Sequence, residues 1–192
     1  EDGCENFCSY CIIPYARGKV RSKKPSDVLK EINDLVNNNH QEIVLTGIHT
    51  GSYNCNGKDF VDVINELAKI DGLERIRLSS VEITELNEKF MTMLKNNPKF
   101  CDHLHIPLQA GSDEILKAMN RPYKSADFLK IVDKLRSRSS DMSISTDIIV
   151  GYPDETEEDF LQTVEAFKQA NFDMAFIFKY SERKGTKSAE LD

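Results

Sequence analysis

Short apolar runs alternate with amphipathic stretches along most of the chain. Runs rich in Ile, Val, Leu or Phe and bounded by polar residues are typical of strands covered on both faces, and they predict strands over 42–48, 75–80, 104–108, 143–150 and 174–180. Between them, apolar residues recur at helical spacing and predict helices around 28–36, 60–67, 90–94, 128–135 and 160–167. The apolar stripes, including Phe160 and Leu161, are expected in the core. Ser26 is expected to cap the first helix, directly after Pro25.

This alternation of strand and helix predicts an α/β fold with a parallel sheet. Two architectures fit the pattern: an open doubly wound sheet and a (β/α) barrel, whole or partial. No Gly-x-Gly-x-x-Gly follows any predicted strand, which weakens the dinucleotide-binding version of the first. In either fold the functional site is expected at the carboxyl ends of the strands.

Composition and charge narrow the functional classes. Acidic residues outnumber basic ones by 32 to 25, and the net charge of −7 argues against nucleic-acid binding by bulk charge alone. No apolar run approaches the ~20 residues of a membrane span, and no signal sequence opens the chain. We therefore expect a cytoplasmic protein without membrane contact. The first residue is Glu1 and not Met, which we interpret as the start of an excised fragment or of a processed product.

Three of the five cysteines, Cys4, Cys8 and Cys11, lie close together near the start of the chain. The odd total favours a reducing compartment over a disulfide framework, and Cys55 and Cys101 are interpreted as ordinary thiols. Structural zinc needs a fourth ligand that the neighbouring sequence lacks, and a redox dithiol leaves Cys4 unexplained. Three thiolates on a [4Fe–4S] cluster leave one iron open to a small molecule. A zinc-stabilised binding module remains the alternative from another class.

The cysteine triplet, with Tyr10 before its last member, is one of six characteristic segments. They are Gly-Cys-x3-Cys-x2-Cys-Ile-Ile-Pro-Tyr at 3–15, Arg-Gly-x2-Arg-Ser at 17–22, Leu-Thr-Gly-Ile-His-Thr-Gly at 45–51, His-Ile-Pro-Leu-Gln-Ala-Gly-Ser at 105–112, Thr-Asp-Ile-Ile-Val-Gly-Tyr-Pro at 146–153 and Tyr-Ser-x-Arg-x-Gly-Thr at 180–186. Through these segments the sequence resembles the radical S-adenosylmethionine (SAM) methylthiotransferases over essentially its whole length. The loop at 47–51 looks like that of the branch acting on N6-threonylcarbamoyladenosine in tRNA.

The resemblance implies an α/β fold, namely a radical SAM (β/α) barrel. This would be a partial TIM-type barrel with the first strand mostly truncated, because only Glu1 and Asp2 of that strand precede the cluster loop. Residues 1–192 would form one radical SAM core domain. Family members also carry an N-terminal domain with a second [4Fe–4S] cluster, to which sulfur insertion is attributed, and a C-terminal RNA-binding TRAM domain. Without them, the fragment is not expected to complete the reaction alone.

The implied activity is that of a tRNA methylthiotransferase core. Reductive cleavage of S-adenosylmethionine at a [4Fe–4S] cluster would give a 5′-deoxyadenosyl radical, leading to 2-methylthiolation of N6-threonylcarbamoyladenosine at position 37 of tRNA. The implied partners are tRNA, bound through the full-length protein, and an electron donor such as flavodoxin or ferredoxin. No catalytic residue is implied beyond the cluster and S-adenosylmethionine. The alternatives within the family act on isopentenyladenosine in tRNA or on a ribosomal protein side chain.

The resemblance also implies the site residues. Cys4, Cys8 and Cys11 would be the cluster ligands. The implied cofactor-binding residues are Tyr10, Arg17, Thr46, Gly47, Ser80, Glu82, Gln109, Asp147 and Gly151. Three alternatives remain open: Glu82 could cap the next helix, Arg21 could take the role of Arg17, and Arg183 could reach the site. The histidines His49, His103 and His105 are interpreted as hydrogen-bonded residues and not as metal ligands.

Overall fold

The computed structural model describes residues 1–139 and 141–191. In that part of the chain the helices are α1 (Ile13–Arg17), α2 (Pro25–Asn37), α3 (Phe60–Leu67), α4 (Glu88–Asn96), α5 (Asp113–Ala118), α6 (Ser125–Arg138) and α7 (Glu157–Ala170). The strands are β1 (Glu42–Leu45), β2 (Asn54–Cys55), β3 (Lys58–Asp59), β4 (Arg75–Leu78), β5 (His103–His105), β6 (Ser143–Val150) and β7 (Met174–Lys179). Every predicted strand and helix is present. The short helices α1 and α5 and the β2–β3 hairpin were not predicted.

The longer strands follow one another in space in the same order as in the sequence. β1 pairs in parallel with β4, and β5, β6 and β7 form a parallel sheet in that order. Three backbone hydrogen bonds in the described residues connect the segments of these two sheets. The Ile76 amide donates to the Lys99 carbonyl at 2.7 Å, the Cys101 amide to the Ile76 carbonyl at 3.0 Å, and the Val81 amide to the His105 carbonyl at 3.0 Å. A doubly wound sheet would reverse its strand order at a switch point. Sequential order with intervening helices is the arrangement of a (β/α) barrel, and here it forms a partial one.

Local sequence signals explain where most helices begin. In α3 and α7 the residue before the helix and the third helical residue exchange hydrogen bonds in capping boxes, formed by Asp59 with Asp62 and by Thr156 with Asp159. The prediction that Ser26 caps α2 was wrong, because the helix already begins at Pro25 and Ser26 lies inside its first turn. Proline suits the first helical position, since its φ is already helical and its missing N–H is not needed there.

The strands β1, β4, β5, β6 and β7 form a curved layer, and the core lies between its outer face and the helices. The strand residues that face the helices, such as Ile76, Leu104 and Ile144, are fully buried, and they pack with apolar helix residues such as Phe90 and Phe128. Alternate strand residues face the concave side and are more polar. They include His105 and Asp147, whose side chains hydrogen-bond at 3.1 Å. The concave side is therefore where polar chemistry is available.

Two predictions of burial were wrong. In α7, Phe160 and Leu161 are exposed, and the buried residues are the small Thr163, Ala166 and Ala170. The reason is close packing: a β-carbon on Gly111 would lie 2.5 Å from the α-carbon of Thr163, so the neighbouring loop reaches the helix backbone and leaves no room for large side chains.

The second wrong prediction of burial concerns β7, which we expected to be covered on both faces. In the described residues it pairs only with β6, and its side chains are largely exposed, including Phe176 at 49% and Ile177 at 62%. A strand at the edge of a sheet lacks the neighbour whose side chains and helix would cover it. Elsewhere, no helix in the described part of the chain is both long and apolar enough to cross a membrane.

Candidate metal and cofactor site

The three clustered cysteines lie on a loop that is fixed to two other segments. The Cys4 amide donates to the carbonyl of Gly18 at 3.1 Å, and the Ser9 amide donates to the carbonyl of Met119 at 3.1 Å. Gly3 begins the loop at a φ of +87°, and a β-carbon there would lie 2.6 Å from the carbonyl carbon of Lys19. Both the positive φ and the close approach require glycine at this position.

The thiols have the chemistry of a soft-metal site. Cys8 is buried, Cys4 and Cys11 are partly buried, and all three are free. Burial raises the pKa of the Cys11 thiol, and the nearby Cys8 and Cys4 raise it further. Across residues 1–139 and 141–191, no three His, Cys, Asp or Glu side chains already stand in the arrangement of a metal site. The donor set nevertheless fits an iron–sulfur cluster, because three free thiols share one short loop.

His49 closes one side of the cysteine loop. Its Nε2 lies 2.7 Å from Glu85 Oε1, and its side chain also hydrogen-bonds with Cys4. Burial alone lowers the pKa of His49, but the hydrogen bonds and negative charge of Cys4 and Glu85 outweigh it and raise the pKa to about 10. His49 is thus a hydrogen-bonded loop residue, as we interpreted it. The loop at 47–51, which suggested the substrate branch, therefore contacts Cys4 through His49.

Arg121 occupies the other side of Cys8 and was missed in the sequence analysis. It follows α5, and only 2% of its side chain is exposed. Its guanidinium binds both carboxylate oxygens of Glu82, and Nη1 also lies 3.3 Å from Cys8 Sγ. Burial alone lowers the pKa of Arg121, but the charges of Tyr123 and Glu82 outweigh it and raise the pKa, so the group stays cationic. No local pattern distinguishes Arg121 from the other basic residues of the sequence.

A cavity of about 310 Å³ opens beside the loop and brings together three predicted site residues, Tyr10, Gln109 and Asp147. Burial raises the pKa of Tyr10 well above its usual value. Gln109 follows β5 at a φ of +69°, an unusual backbone conformation for this residue type. The Asp147 carboxylate accepts from His105, whose other ring nitrogen lies 2.9 Å from Ser145 Oγ. Arg183 also lines this cavity.

The remaining predicted cofactor residues lie outside that cavity. Arg17 is on the surface, where it pairs with Asp2 at 3.0 Å, and Arg21 binds the same carboxylate. Ser80 is partly buried after β4, and Gly151 is exposed after β6 at a φ of +71°.

Thr46 and Gly47 follow β1 as predicted and lie near Glu1. A β-carbon on Gly47 would be 2.9 Å from the Glu1 carbonyl oxygen. Thr46 lines a separate, mainly apolar cavity of about 350 Å³ between β1 and α2. The structure therefore brings Tyr10, Gln109 and Asp147 together at one cavity. Glu82 pairs with Arg121 outside this cavity, and the charges of both also act on Tyr10.

Comparison with known proteins decides the family. A model of the radical SAM superfamily matches residues 2–167. The chain belongs to the radical SAM superfamily. It is 45% identical to the tRNA-2-methylthio-N(6)-dimethylallyladenosine synthase of Alkaliphilus oremlandii, over 98% of this chain and 41% of the relative. It is 42% identical to the threonylcarbamoyladenosine tRNA methylthiotransferase MtaB of Thermotoga maritima, over 100% of this chain and 45% of the relative.

Solved structures support the fold independently. Coproporphyrinogen III oxidase from Escherichia coli, a radical SAM enzyme, matches with a TM-score of 0.69 at 15% identity, over 100% of this chain and 46% of that one. The cobalamin-dependent S-adenosylmethionine radical enzyme OxsB matches with a TM-score of 0.72 at 15% identity, over 97% of this chain and 27% of that one. At such low identity these matches concern the fold alone.

These findings confirm the predicted radical SAM barrel, the resemblance to methylthiotransferases and the cofactor pair of the superfamily, a [4Fe–4S] cluster with S-adenosylmethionine. The chain spans less than half the length of both relatives named here. Those relatives are named for different modified adenosines and match at 45% and 42% identity, so the similarity does not distinguish the substrate branch.

Proposed function

We propose that this chain is the radical SAM core of a tRNA methylthiotransferase, with residues 1–192 forming one domain of a longer cytoplasmic protein. The observation that carries the proposal is the loop of three free cysteines beside the cavity of Tyr10, Gln109 and Asp147. The names of the relatives support the choice of reaction and of tRNA as the partner.

In this proposal Cys4, Cys8 and Cys11 hold a [4Fe–4S] cluster. When bound, such a cluster supplies the one-electron reduction that cleaves S-adenosylmethionine. The adjacent cavity would bind and orient that cofactor. Tyr10 offers an aromatic face, the Gln109 amide offers both a donor and an acceptor, and the Asp147 carboxylate, held by His105, accepts hydrogen bonds.

For the substrate we propose N6-threonylcarbamoyladenosine at position 37 of tRNA, on the basis of the loop at 47–51. A flavodoxin or ferredoxin would deliver the electron. Nucleoside analysis of tRNA tests the substrate. In a strain lacking the gene for the full-length protein, loss of the 2-methylthio derivative of threonylcarbamoyladenosine is the expected result. Loss of the dimethylallyladenosine derivative instead would assign the other branch, and unchanged tRNA would contradict both.

Radical chemistry is tested by anaerobic reconstitution with iron and sulfide, reduction, and assay of 5′-deoxyadenosine after S-adenosylmethionine is added. We expect a brown protein with about four irons per chain, and product formation that disappears in Cys4→Ala, Cys8→Ala and Cys11→Ala. Cys55→Ala and Cys101→Ala are matched controls that should retain both iron and product. A colourless protein with stoichiometric zinc under anaerobic purification would contradict the proposal.

A further inference from the structure

We propose that Arg121 is a positioning residue for the cluster loop, and that its hydrogen bond to Cys8 makes the bound cluster easier to reduce. The inference rests on the proposed function, because it requires a cluster at Cys8. It concerns a residue that takes no part in binding iron itself and lies more than a hundred positions away in the sequence, just after α5.

Glu82 and Tyr123 hold the Arg121 guanidinium in a fixed orientation beside Cys8. Nη1 is shared between Cys8 Sγ at 3.3 Å and Glu82 Oε1 at 3.2 Å, while Nη2 binds Glu82 Oε2. Nε donates to the Tyr123 hydroxyl at 3.0 Å, and the guanidinium carbon lies 5.1 Å from the centre of the Tyr123 ring. The Tyr123 hydroxyl in turn donates to the carbonyl of Leu108 at 3.0 Å, which fixes it against the segment between β5 and Gln109.

A purely structural role does not explain this arrangement. Removing both members of an ion pair from water is expensive, and apolar residues of similar volume stabilise a core equally well or better. Here the cation is almost fully buried and directs an N–H group toward a cysteine sulfur, although Glu82 and Tyr123 already accept its other hydrogen bonds. A buried charge placed against a cysteine of the cluster loop therefore indicates an effect on what that sulfur binds.

The direction of the effect follows from charge. Reduction adds one electron to the cluster and makes it more negative, so a nearby cation and an N–H donor to a ligand sulfur favour the reduced form and raise the reduction potential. Glu82 acts in the opposite sense, because its carboxylate partly cancels the guanidinium charge. The balance between the two residues would thus determine how readily the cluster accepts an electron.

The test is an EPR-monitored redox titration of the anaerobically reconstituted chain, without S-adenosylmethionine so that cofactor binding does not contribute. We expect Arg121→Met to lower the midpoint potential while the iron content stays at the wild-type value. Arg121→Lys, which keeps the charge but cannot bridge Cys8 and Glu82 in the same way, should give a potential between the two. Glu82→Gln should raise the potential. Opposite shifts from the two partners are not expected from loosened packing.

Arg136→Met is the matched control, because the Arg136 guanidinium also makes several hydrogen bonds, here to backbone carbonyls, but lies away from the cysteine loop at the carboxyl ends of α6 and α7. Its potential should equal that of the wild type. If Arg121→Met fails to fold, Arg121→Lys and Glu82→Gln decide the matter. The inference alone is overturned if the Arg121 variant and Glu82→Gln both bind the cluster but leave its midpoint potential unchanged, or shift it in the same direction. Wild-type chain that takes up no iron overturns the proposed function as well.

Discussion

Gly3 illustrates how a single residue without a side chain shapes the site. Its φ of +87° and its contact with the Lys19 carbonyl leave no space for a methyl group. We predict that Gly3→Ala lowers the free energy of unfolding by about 1–3 kcal/mol and reduces iron uptake after reconstitution, because the loop carrying Cys4 must move. Urea unfolding and iron analysis measure the two effects.

Gly57→Ala is the control for this prediction. Gly57 also has a positive φ, +75°, but apart from its two chain neighbours no atom of the described residues lies within 4 Å of where its β-carbon would be. The Gly57→Ala variant therefore carries the backbone strain without an overlap between its β-carbon and neighbouring atoms, and its iron uptake should stay at the wild-type level. Equal iron loss in both variants would contradict the role assigned to the Lys19 contact.

The site residues differ in how far the sequence could reveal them. Cys4, Cys8 and Cys11 were recognisable from spacing, because ligands on one loop are close in the sequence too. Gln109 and Asp147 were accessible through the family resemblance, because they lie in two of its characteristic segments, 105–112 and 146–153. Arg121 was not, since its partners Cys8 and Glu82 lie 113 and 39 positions away, and only the folded chain brings them to it.

At the scale of elements, the Asp159 carboxylate connects the N-termini of two helices, α5 and α7. Asp159 belongs to the capping box of α7 with Thr156, and it also accepts from Ser112, the capping residue of α5, at 2.5 Å. Hydrogen bonds from Ser112 and Thr156 lower the pKa of Asp159. The charged form is therefore favoured by folding, and Asp159 contributes stability above its unfolded pKa that is lost as pH falls through its lower folded value.

We predict that Asp159→Asn destabilises the chain at neutral pH, and that the difference from the wild type shrinks as pH falls below about 4. Urea unfolding across this pH range measures it. Ser112→Ala removes one of the two hydroxyl partners and should reduce the pH dependence without abolishing it. A difference between wild type and Asp159→Asn that is independent of pH would contradict the assignment.

The periodic pattern predicted which elements exist better than it predicted what they bury. It placed every long strand and helix, because alternation and helical spacing are local properties. It failed for Phe160 and Leu161 since it could not reveal that Gly111 approaches the backbone of α7 and selects small residues on that face. It also gave no information on the pairing of β7, which in the described residues pairs only with β6, because pairing depends on sheet order.

At the scale of the whole molecule, the cysteine loop is tied to the end of the described chain. The Ser188 amide donates to the Ser9 carbonyl at 2.9 Å, and the Tyr152 hydroxyl lies 2.8 Å from Ser9 Oγ in a buried hydrogen bond. The Tyr180 hydroxyl donates to Ser188 Oγ at 2.9 Å. Segments around Tyr152 and Ser188, which are distant in the sequence, thus hold Ser9, the residue between Cys8 and Tyr10.

We predict that Tyr152→Phe lowers the free energy of unfolding by about 1 kcal/mol and accelerates the loss of iron to a chelator, because Ser9 is held less firmly. Tyr53→Phe is the matched control. Its hydroxyl donates to the carbonyl of Lys23 and not to the loop of Cys4, Cys8 and Cys11, so the substitution should change stability without changing iron release. Equal release rates in the two variants would argue against a link between Ser9 and cluster retention.

The open edge of β7 has a consequence for handling the chain in concentrated solution. Unpaired backbone groups along Met174–Lys179, flanked by exposed Phe and Ile side chains, form a template to which a strand of another molecule can add. The one charged residue in this strand is Lys179, at its end. We predict that Ile177→Lys raises the protein concentration at which light scattering begins and leaves thermal unfolding nearly unchanged, because the side chain is already 62% exposed. Colloidal behaviour, and not the stability of the fold, would then limit the concentrations at which the chain can be studied.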